Sequence, residues 1–242
     1  YEKFESDEKP LSIVLRYELT NEPKLDFEKT DTSTPSSNGK IKLGVIGAGN
    51  FASTTILPIL RDLKRECEVI GVASSGGLSA EVLSRNFKID NKYSTESEII
   101  DSQEIDAVFI LTQHHNHAEL VIKAVNAGKA VYVEKPLALE VESLVKIEEA
   151  MYNAENAKIF VGFNRRFAEA TQFVKSKLNS TPANSINFRF SVPALDKDHW
   201  TNIKEIGGGR IVGEAVHAID LASYLFDSLP QSISASSPLD KE

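Results

Sequence analysis

The sequence of 242 residues has one cysteine, Cys67, and therefore no intramolecular disulfide bond. A single cysteine is typical of a reducing compartment, so we expect a cytoplasmic location. No apolar run approaches the roughly 20 residues of a membrane-spanning helix, and no signal peptide opens the chain. The first residue is Tyr1 rather than methionine, which indicates an internal piece of a longer protein.

Positive charge is also scarce. The chain has 27 Lys and Arg against 35 Asp and Glu, a net charge of -8. This balance argues against a nucleic-acid binder that relies on a general basic surface. Hydrophobic residues make up 41% and charged residues 26%, which is ordinary for a globular protein of one large or two small domains.

Three stretches differ in pattern. Residues 1–39 hold one short predicted strand, Leu11–Tyr17, and a polar linker, and we interpret them as the remnant of a preceding domain. Residues 40–166 alternate apolar strands with helices, which predicts a parallel sheet covered on both faces. The predicted strands are 41–46, 68–73, 105–111, 130–133 and 157–162, and the predicted helices are 51–63, 79–87, 117–127 and 141–156. Residues 167–242 predict helices at 168–178 and 214–225 and a strand at 185–190.

A glycine loop follows the first strand and opens the first helix. In it, Gly47 permits a tight turn, Gly49 allows a pyrophosphate to approach the backbone, and Ala52 keeps the helix close to the strand. The helix N-terminus at Asn50 and Phe51 offers unpaired N–H groups to phosphates. This context predicts a dinucleotide site, against the alternative of a glycine turn without a ligand.

The end of the second strand predicts which dinucleotide is bound. NAD-specific enzymes usually carry an acid there that meets the ribose, whereas this chain has Ser74 and Ser75. Their hydroxyls suit either a ribose hydroxyl or a 2′-phosphate. We expect NAD or NADP and favour NADP, with a turn that selects neither as the alternative.

Three further motifs resemble one family, the Gfo/Idh/MocA oxidoreductases. They are Thr112-Gln-His-His-Asn-His117-Ala-Glu, the Glu134-Lys-Pro136 signature, and the glycine-rich stretch from Gly207 to Asp220. The resemblance implies a Rossmann domain at 40–166 and a C-terminal α+β domain with an open, mostly antiparallel sheet at 167–242, apparently truncated. It also implies an NAD(P)-dependent oxidoreductase that acts on a hydroxyl or keto group of a sugar, inositol or related polyol. The full-length protein would form a homo-oligomer through the C-terminal sheet.

The chain departs from the family pattern at two positions. Gln113 replaces the usual proline, and Gly213 stands where many members carry Asp, with Glu214 beside it. The variant around His217 looks most like a bi-domain subgroup in which a zinc-type alcohol-dehydrogenase-like domain precedes this one.

The resemblance implies a catalytic group of three residues. His217 is the expected base, because an unperturbed imidazole has a pKa near working pH. Glu214, three residues earlier, would orient His217 or hold a substrate hydroxyl. Lys135 would donate to the reacting oxygen and contact the cofactor, and Glu134 would hold the nicotinamide ribose.

The remaining candidates are cofactor and substrate contacts. Thr112, Gln113 and His114 are expected to line the nicotinamide side, with His117 beside it. We expect no metal, because His114, His115 and His117 lack evident partner ligands. Planar and bidentate polar groups suit polyols, which makes the following residues candidate substrate contacts: Arg165, Arg166, His199, Trp200, Arg210 and Asp220.

Three other functions stay open. The first is a non-catalytic nucleotide or sugar binder, which the glycine at 213 favours. The second is a redox-neutral glycosidase that uses bound NAD transiently. The third is a truncated and inactive fragment of a larger enzyme.

Overall fold

One parallel sheet organises the molecule. The computed structural model describes residues 39–178, 185–189, 195–196, 198–234 and 236. The strands are β1 (Ile41–Ile46), β2 (Cys67–Ala73), β3 (Ala107–Ile110), β4 (Ala130–Val133) and β5 (Ile159–Val161). Every pairing is parallel and the order is β2-β1-β3-β4-β5, so the predicted parallel sheet is confirmed.

Helices connect the strands and follow the sheet. They are α1 (Leu57–Asp62), α2 (Leu78–Phe87), α3 (Glu96–Asp101), α4 (His117–Asn126), α5 (Val141–Asn153), α6 (Glu169–Leu178), α7 (Lys204–Gly207) and α8 (Val216–Phe226). Tight single turns occupy His114–Asn116, Asn164–Phe167 and Trp200–Asn202. Wider helical turns at Ala52–Ile56 and Ile211–Ala215 lead directly into α1 and α8. The first of these ends just before α1, whose second residue is Pro58.

Both faces of the sheet are buried, which explains the near-continuous apolar strands. Val45 and Val72 pack with Leu57 of α1 on one face. Ile110 and Val133 pack with α4 and α5 on the other. Burying one such side chain stabilises the fold by roughly 1.5–3 kcal/mol.

Two helices, α3 and α7, were absent from the sequence predictions. Helix α3 begins with a capping box, in which Thr95 Oγ1 accepts from the Glu98 amide at 3.2 Å and Glu98 Oε2 accepts from the Thr95 amide at 3.4 Å. The Thr-x-x-Glu spacing was the available signal.

The C-terminal prediction is wrong in one respect. Residues 185–189 lie in no strand, and no strand occurs among the described residues after Val161. A strand needs a neighbour to satisfy its backbone groups, and the described part offers none here. The predicted strand at Leu11–Tyr17 and the linker up to residue 38 lie outside the described residues. Within the described part, every helix is too short or too polar to cross a bilayer.

The strand order reverses between β1 and β3. The carboxyl ends of these strands meet where Leu111 N donates to Ile46 O at 2.7 Å. Gly47 lies against this junction with φ of 105°, and a Cβ there would lie 2.5 Å from Leu111 O. Only glycine fits, and the loop is held at the position where open α/β sheets bind ligands.

Comparing Gly47→Ala with Gly49→Ala tests this constraint. We expect Gly47→Ala to lower the free energy of unfolding by about 1–3 kcal/mol, because it combines positive φ with a backbone clash. Gly49→Ala is the matched control, since a Cβ at Gly49 meets nothing within 4 Å. Urea denaturation of both variants measures the difference, and equal stabilities would contradict the account.

Candidate active site

The glycine loop has room for a ligand. A Cβ at Gly49 would meet no protein atom within 4 Å, so packing alone does not require glycine there. Asn50 is exposed, and its carbonyl accepts from Ser53 Oγ at 2.9 Å and from Thr54 Oγ1 at 2.7 Å. The half-buried Phe51 packs on the core beneath. The loop fits the close approach of a pyrophosphate, which explains the glycine at 49.

The turn after β2 carries hydroxyls and no acid. Ser74 Oγ lies 2.9 Å from Ser79 Oγ in the first turn of α2, and Ser75 is exposed. The nearest acid along the chain, Glu81, accepts from Arg85 at 3.1 Å on the exposed side of α2. The predicted serine turn is therefore present at the carboxyl end of β2.

His117 is fully buried and braces two loops. Its Nδ1 lies 2.7 Å from Pro136 O and its Nε2 lies 3.1 Å from Thr112 O. Burial lowers the pKa of His117, whereas its hydrogen bonds to the two carbonyl oxygens act in the opposite direction. His117 thus holds Thr112 beside the turn after β4, a role that its sequence position alone did not reveal. Gln113, which follows Thr112 in the chain, is exposed.

His114 connects the sheet edge to the C-terminal segment. The ring is 7% exposed, and its Nδ1 lies 2.8 Å from Gly207 O. The Trp200 ring meets it edge-on, with centroids 4.8 Å apart. Burial is the main cause that lowers the pKa of His114 to about 4, so the ring is neutral at physiological pH.

Lys135 makes the second such connection. Its Nζ donates to Gly213 O at 2.7 Å, and its peptide bond to Pro136 is cis. The ammonium is half-buried at the carboxyl end of β4. The structure therefore brings the Glu-Lys-Pro turn and the segment before α8 into direct contact.

Glu134 is held by a residue that sequence reasoning missed. Tyr132 Oη donates to Glu134 Oε1 at 2.7 Å, and burial raises the pKa of Glu134. Gly162 faces this pair, and a Cβ there would lie 2.6 Å from Glu134 Oε1. The signal in the sequence was the spacing of Tyr132 and Glu134, which puts both on one face of an extended segment.

His217 is buried on α8. Burial, with the positive charges of Lys135 and Arg165, lowers its pKa to about 4, against the near-neutral value of a free imidazole. Its Nδ1 is sealed from solvent and has no hydrogen-bond partner in the described part. Glu214 acts on His217 through its charge, which opposes this lowering of the pKa.

Two of the predicted substrate contacts, Arg166 and Asp220, pair with each other. Arg166 donates to both carboxylate oxygens of Asp220, at 2.8 and 2.9 Å from its Nε. The guanidinium also lies over the rings of Phe163 and Tyr224. The bidentate pair anchors α8 to the turn after β5.

The other predicted substrate contacts lie near α8 or on the chain segment that leads to it. His199 caps the turn that begins at Trp200, with its Nδ1 2.8 Å from Thr201 Oγ1. Arg165 lies close enough to His217 to lower its pKa, and Arg210 is half-buried next to the turn before α8. No cluster of three or more metal-ligating side chains occurs among the described residues.

The buried histidines make stability depend on pH. A histidine whose folded-state pKa is lowered stays neutral in the fold while the unfolded chain takes up a proton. Between about pH 4 and pH 6.5, His114 and His217 should therefore each add up to about 1.4 kcal/mol of stability per unit rise in pH.

Unfolding by urea at pH 4.5, 5.5 and 6.5 measures this slope. We expect His217→Gln to reduce it, because the amide does not titrate. His115→Gln is the control, since His115 is exposed in the neighbouring turn. An unchanged slope in His217→Gln would contradict the lowered pKa of His217 in the folded protein.

Comparisons with known proteins agree with the architecture. The Gfo/Idh/MocA model, described as "Oxidoreductase family, NAD-binding Rossmann fold", matches residues 41–163. Inositol 2-dehydrogenase/D-chiro-inositol 3-dehydrogenase of Lacticaseibacillus casei is 30% identical over 141 residues, which are 58% of this chain and 40% of that protein. Levoglucosan dehydrogenase of Pseudarthrobacter phenanthrenivorans is 35% identical over 159 residues, 61% of this chain and 40% of that protein.

A solved structure extends the similarity beyond the matched domain. Myo-inositol dehydrogenase from Lactobacillus casei, in complex with NAD(H) and myo-inositol, superposes with a TM-score of 0.66 at 26% identity. The match covers 78% of this chain and 55% of that one. The chain thus spans about half the length of this solved relative.

Proposed function

Since the chain belongs to the Gfo/Idh/MocA oxidoreductase family, we propose that it transfers hydride between a nicotinamide dinucleotide and a sugar, inositol or related polyol. The reacting carbon bears a hydroxyl in one direction and a keto group in the other. The observation that carries the proposal is the contact of Lys135 with Gly213, which holds the Glu-Lys-Pro turn against the segment that leads to His217. Solved relatives at similar identity bind NAD(H) with myo-inositol and NADH with levoglucosan.

The cofactor site extends along the carboxyl edge of the sheet. The backbone at Gly47, Gly49 and Asn50 would hold the pyrophosphate, and Glu134 would hold the nicotinamide ribose. When bound, the nicotinamide supplies or accepts the hydride. The protein contributes position, charge and proton handling.

Lys135 and His217 act on the reacting oxygen. The ammonium of Lys135 donates a hydrogen bond to it and stabilises negative charge that develops there. His217 is neutral at pH 7 and offers a lone pair to the hydroxyl proton of an alcohol, and with a pKa of about 4 it is a weaker base than the free imidazole expected from the sequence. Glu214 opposes the positive charge around His217.

The serine turn suits NADP. A 2′-phosphate beside Ser74 and Ser75 would meet hydroxyls and the N-terminus of α2. The acid in the first turn of that helix, Glu81, is paired with Arg85. NADP is therefore the cofactor that we favour.

The longer relatives suggest what the whole protein adds. We propose that the full-length enzyme completes an open, mostly antiparallel sheet and uses it to form a homo-oligomer in the cytoplasm. The resemblance of residues 1–17 to the last helix and strand of a zinc-type alcohol-dehydrogenase-like domain supports a bi-domain arrangement. Sequencing the reading frame in both directions tests this, and an unrelated upstream sequence would contradict the proposed preceding domain.

Fluorescence titration with NADH and NADPH tests the cofactor site. We expect saturable binding, and Gly49→Asp should weaken it at least roughly 10-fold because a carboxylate would oppose the pyrophosphate. Ser97→Asp is the control, because it adds the same charge at an exposed position of α3. No binding by the folded wild type would overturn the proposal.

Ser74→Asp tests the choice of dinucleotide. An added carboxylate should weaken NADPH binding more than NADH binding, because it repels a 2′-phosphate but accepts from a 2′-hydroxyl. Ser79→Ala removes the hydroxyl that contacts Ser74 without adding charge and serves as the control. Equal effects of Ser74→Asp on the two dinucleotides would contradict a ribose site at this turn.

Lys135→Met tests catalysis apart from binding. We expect kcat to fall roughly 100-fold or more on myo-inositol or levoglucosan, with a smaller change in cofactor affinity. Lys146→Met, on the exposed side of α5, is the control. Wild-type cofactor binding without turnover on any polyol would instead favour a non-catalytic binder.

A further inference from the structure

The tautomer of His114 is fixed by its partner. Its Nδ1 lies 2.8 Å from the carbonyl oxygen of Gly207, and a carbonyl only accepts. Nδ1 therefore carries the ring proton, and Nε2 keeps a free lone pair. No residue in the described part donates to that Nε2, and the atom is not sealed from solvent as His217 Nδ1 is.

His114 lies against Gly213, which has no side chain. A Cβ built on Gly213 would lie 3.4 Å from His114 Cε1, the ring carbon bonded to both nitrogens. The carbonyl of the same glycine accepts from Lys135 Nζ at 2.7 Å. His114 and Lys135 therefore contact the same residue, Gly213.

The two groups have complementary hydrogen-bonding capacity. The Lys135 ammonium only donates, and the His114 Nε2 lone pair only accepts. A hydroxyl does both, so it satisfies one group with its oxygen and the other with its hydrogen. The nearby carboxylate of Asp220 is occupied by Arg166, and Gly213 supplies none.

We infer that His114 is a further substrate-contacting residue, whose Nε2 accepts a hydrogen bond from a substrate hydroxyl beside Lys135. The inference rests on the proposed function and assigns His114 to the substrate rather than to the nicotinamide. It also explains the glycine at 213. The imidazole supplies, without charge, the acceptor that an acidic side chain at 213 would supply.

A double-mutant cycle between His114 and Gly213 tests this directly. We expect His114→Ala to lower kcat/KM for myo-inositol or levoglucosan roughly 3- to 10-fold, the effect of one hydrogen bond. Adding Gly213→Asp in the His114→Ala background should restore most of that loss, because the new carboxylate enters the vacated space. In the wild-type background Gly213→Asp should give no gain, so the two effects are coupled.

Further measurements separate substrate contact from a structural role. NADH and NADPH affinities should stay within about 2-fold of wild type in all three variants. His114→Gln keeps an acceptor and should retain more activity than His114→Ala. His115→Ala, in the exposed neighbour, is the control for changes in the turn.

The inference is overturned if His114→Ala leaves kcat/KM unchanged, if Gly213→Asp fails to restore it, or if cofactor affinity falls in parallel. If the His114→Ala variant does not fold, His114→Gln becomes the decisive comparison. We expect the kcat/KM of His114→Gln to lie within about 3-fold of wild type, and a loss as large as about 100-fold would contradict the role. Failure of the proposed function looks different, because the wild type itself would then bind cofactor and turn over no polyol.

Discussion

The hydrogen bond from Lys135 to the carbonyl of Gly213 is the interaction on which the candidate site depends. It joins the carboxyl edge of the parallel sheet to the segment that carries His217, although 78 residues separate the two partners. The positive charge of Lys135 also lowers the pKa of the neighbouring His114 and His217. The low pKa of His217 is in part a consequence of that charge.

Two histidines also join separate segments by binding main-chain carbonyl groups. His117 holds the ends of two neighbouring loops through the carbonyl oxygens of Thr112 and Pro136, and His114 holds Gly207. In each case a side chain from the sheet edge binds a main-chain carbonyl. The site is thereby assembled around buried imidazole rings and the Lys135 ammonium, with the Asp220 carboxylate paired to Arg166.

The sequence allowed most of the sheet to be predicted, because strand and helix periods are local properties. Strands β1 and β4 have the predicted bounds, and Gly47 takes the positive φ that its motif predicts. The predicted strand at 185–190 failed because local alternation does not reveal whether a partner strand exists. The contacts of His114 and His117 were also missed, since both depend on which backbone carbonyls the fold brings near. The lowered pKa of His217 follows likewise from burial, which sequence spacing does not reveal.

A crystal structure of this chain with NADH tests the central claim most directly. The account predicts the pyrophosphate over Gly47 and Gly49, with the nicotinamide facing Lys135 and His217. It would be contradicted by a dinucleotide bound elsewhere, such as the cavity between α2 and residues 89–94, which none of the predicted site residues lines. It would equally be contradicted by a nicotinamide ring turned away from Lys135.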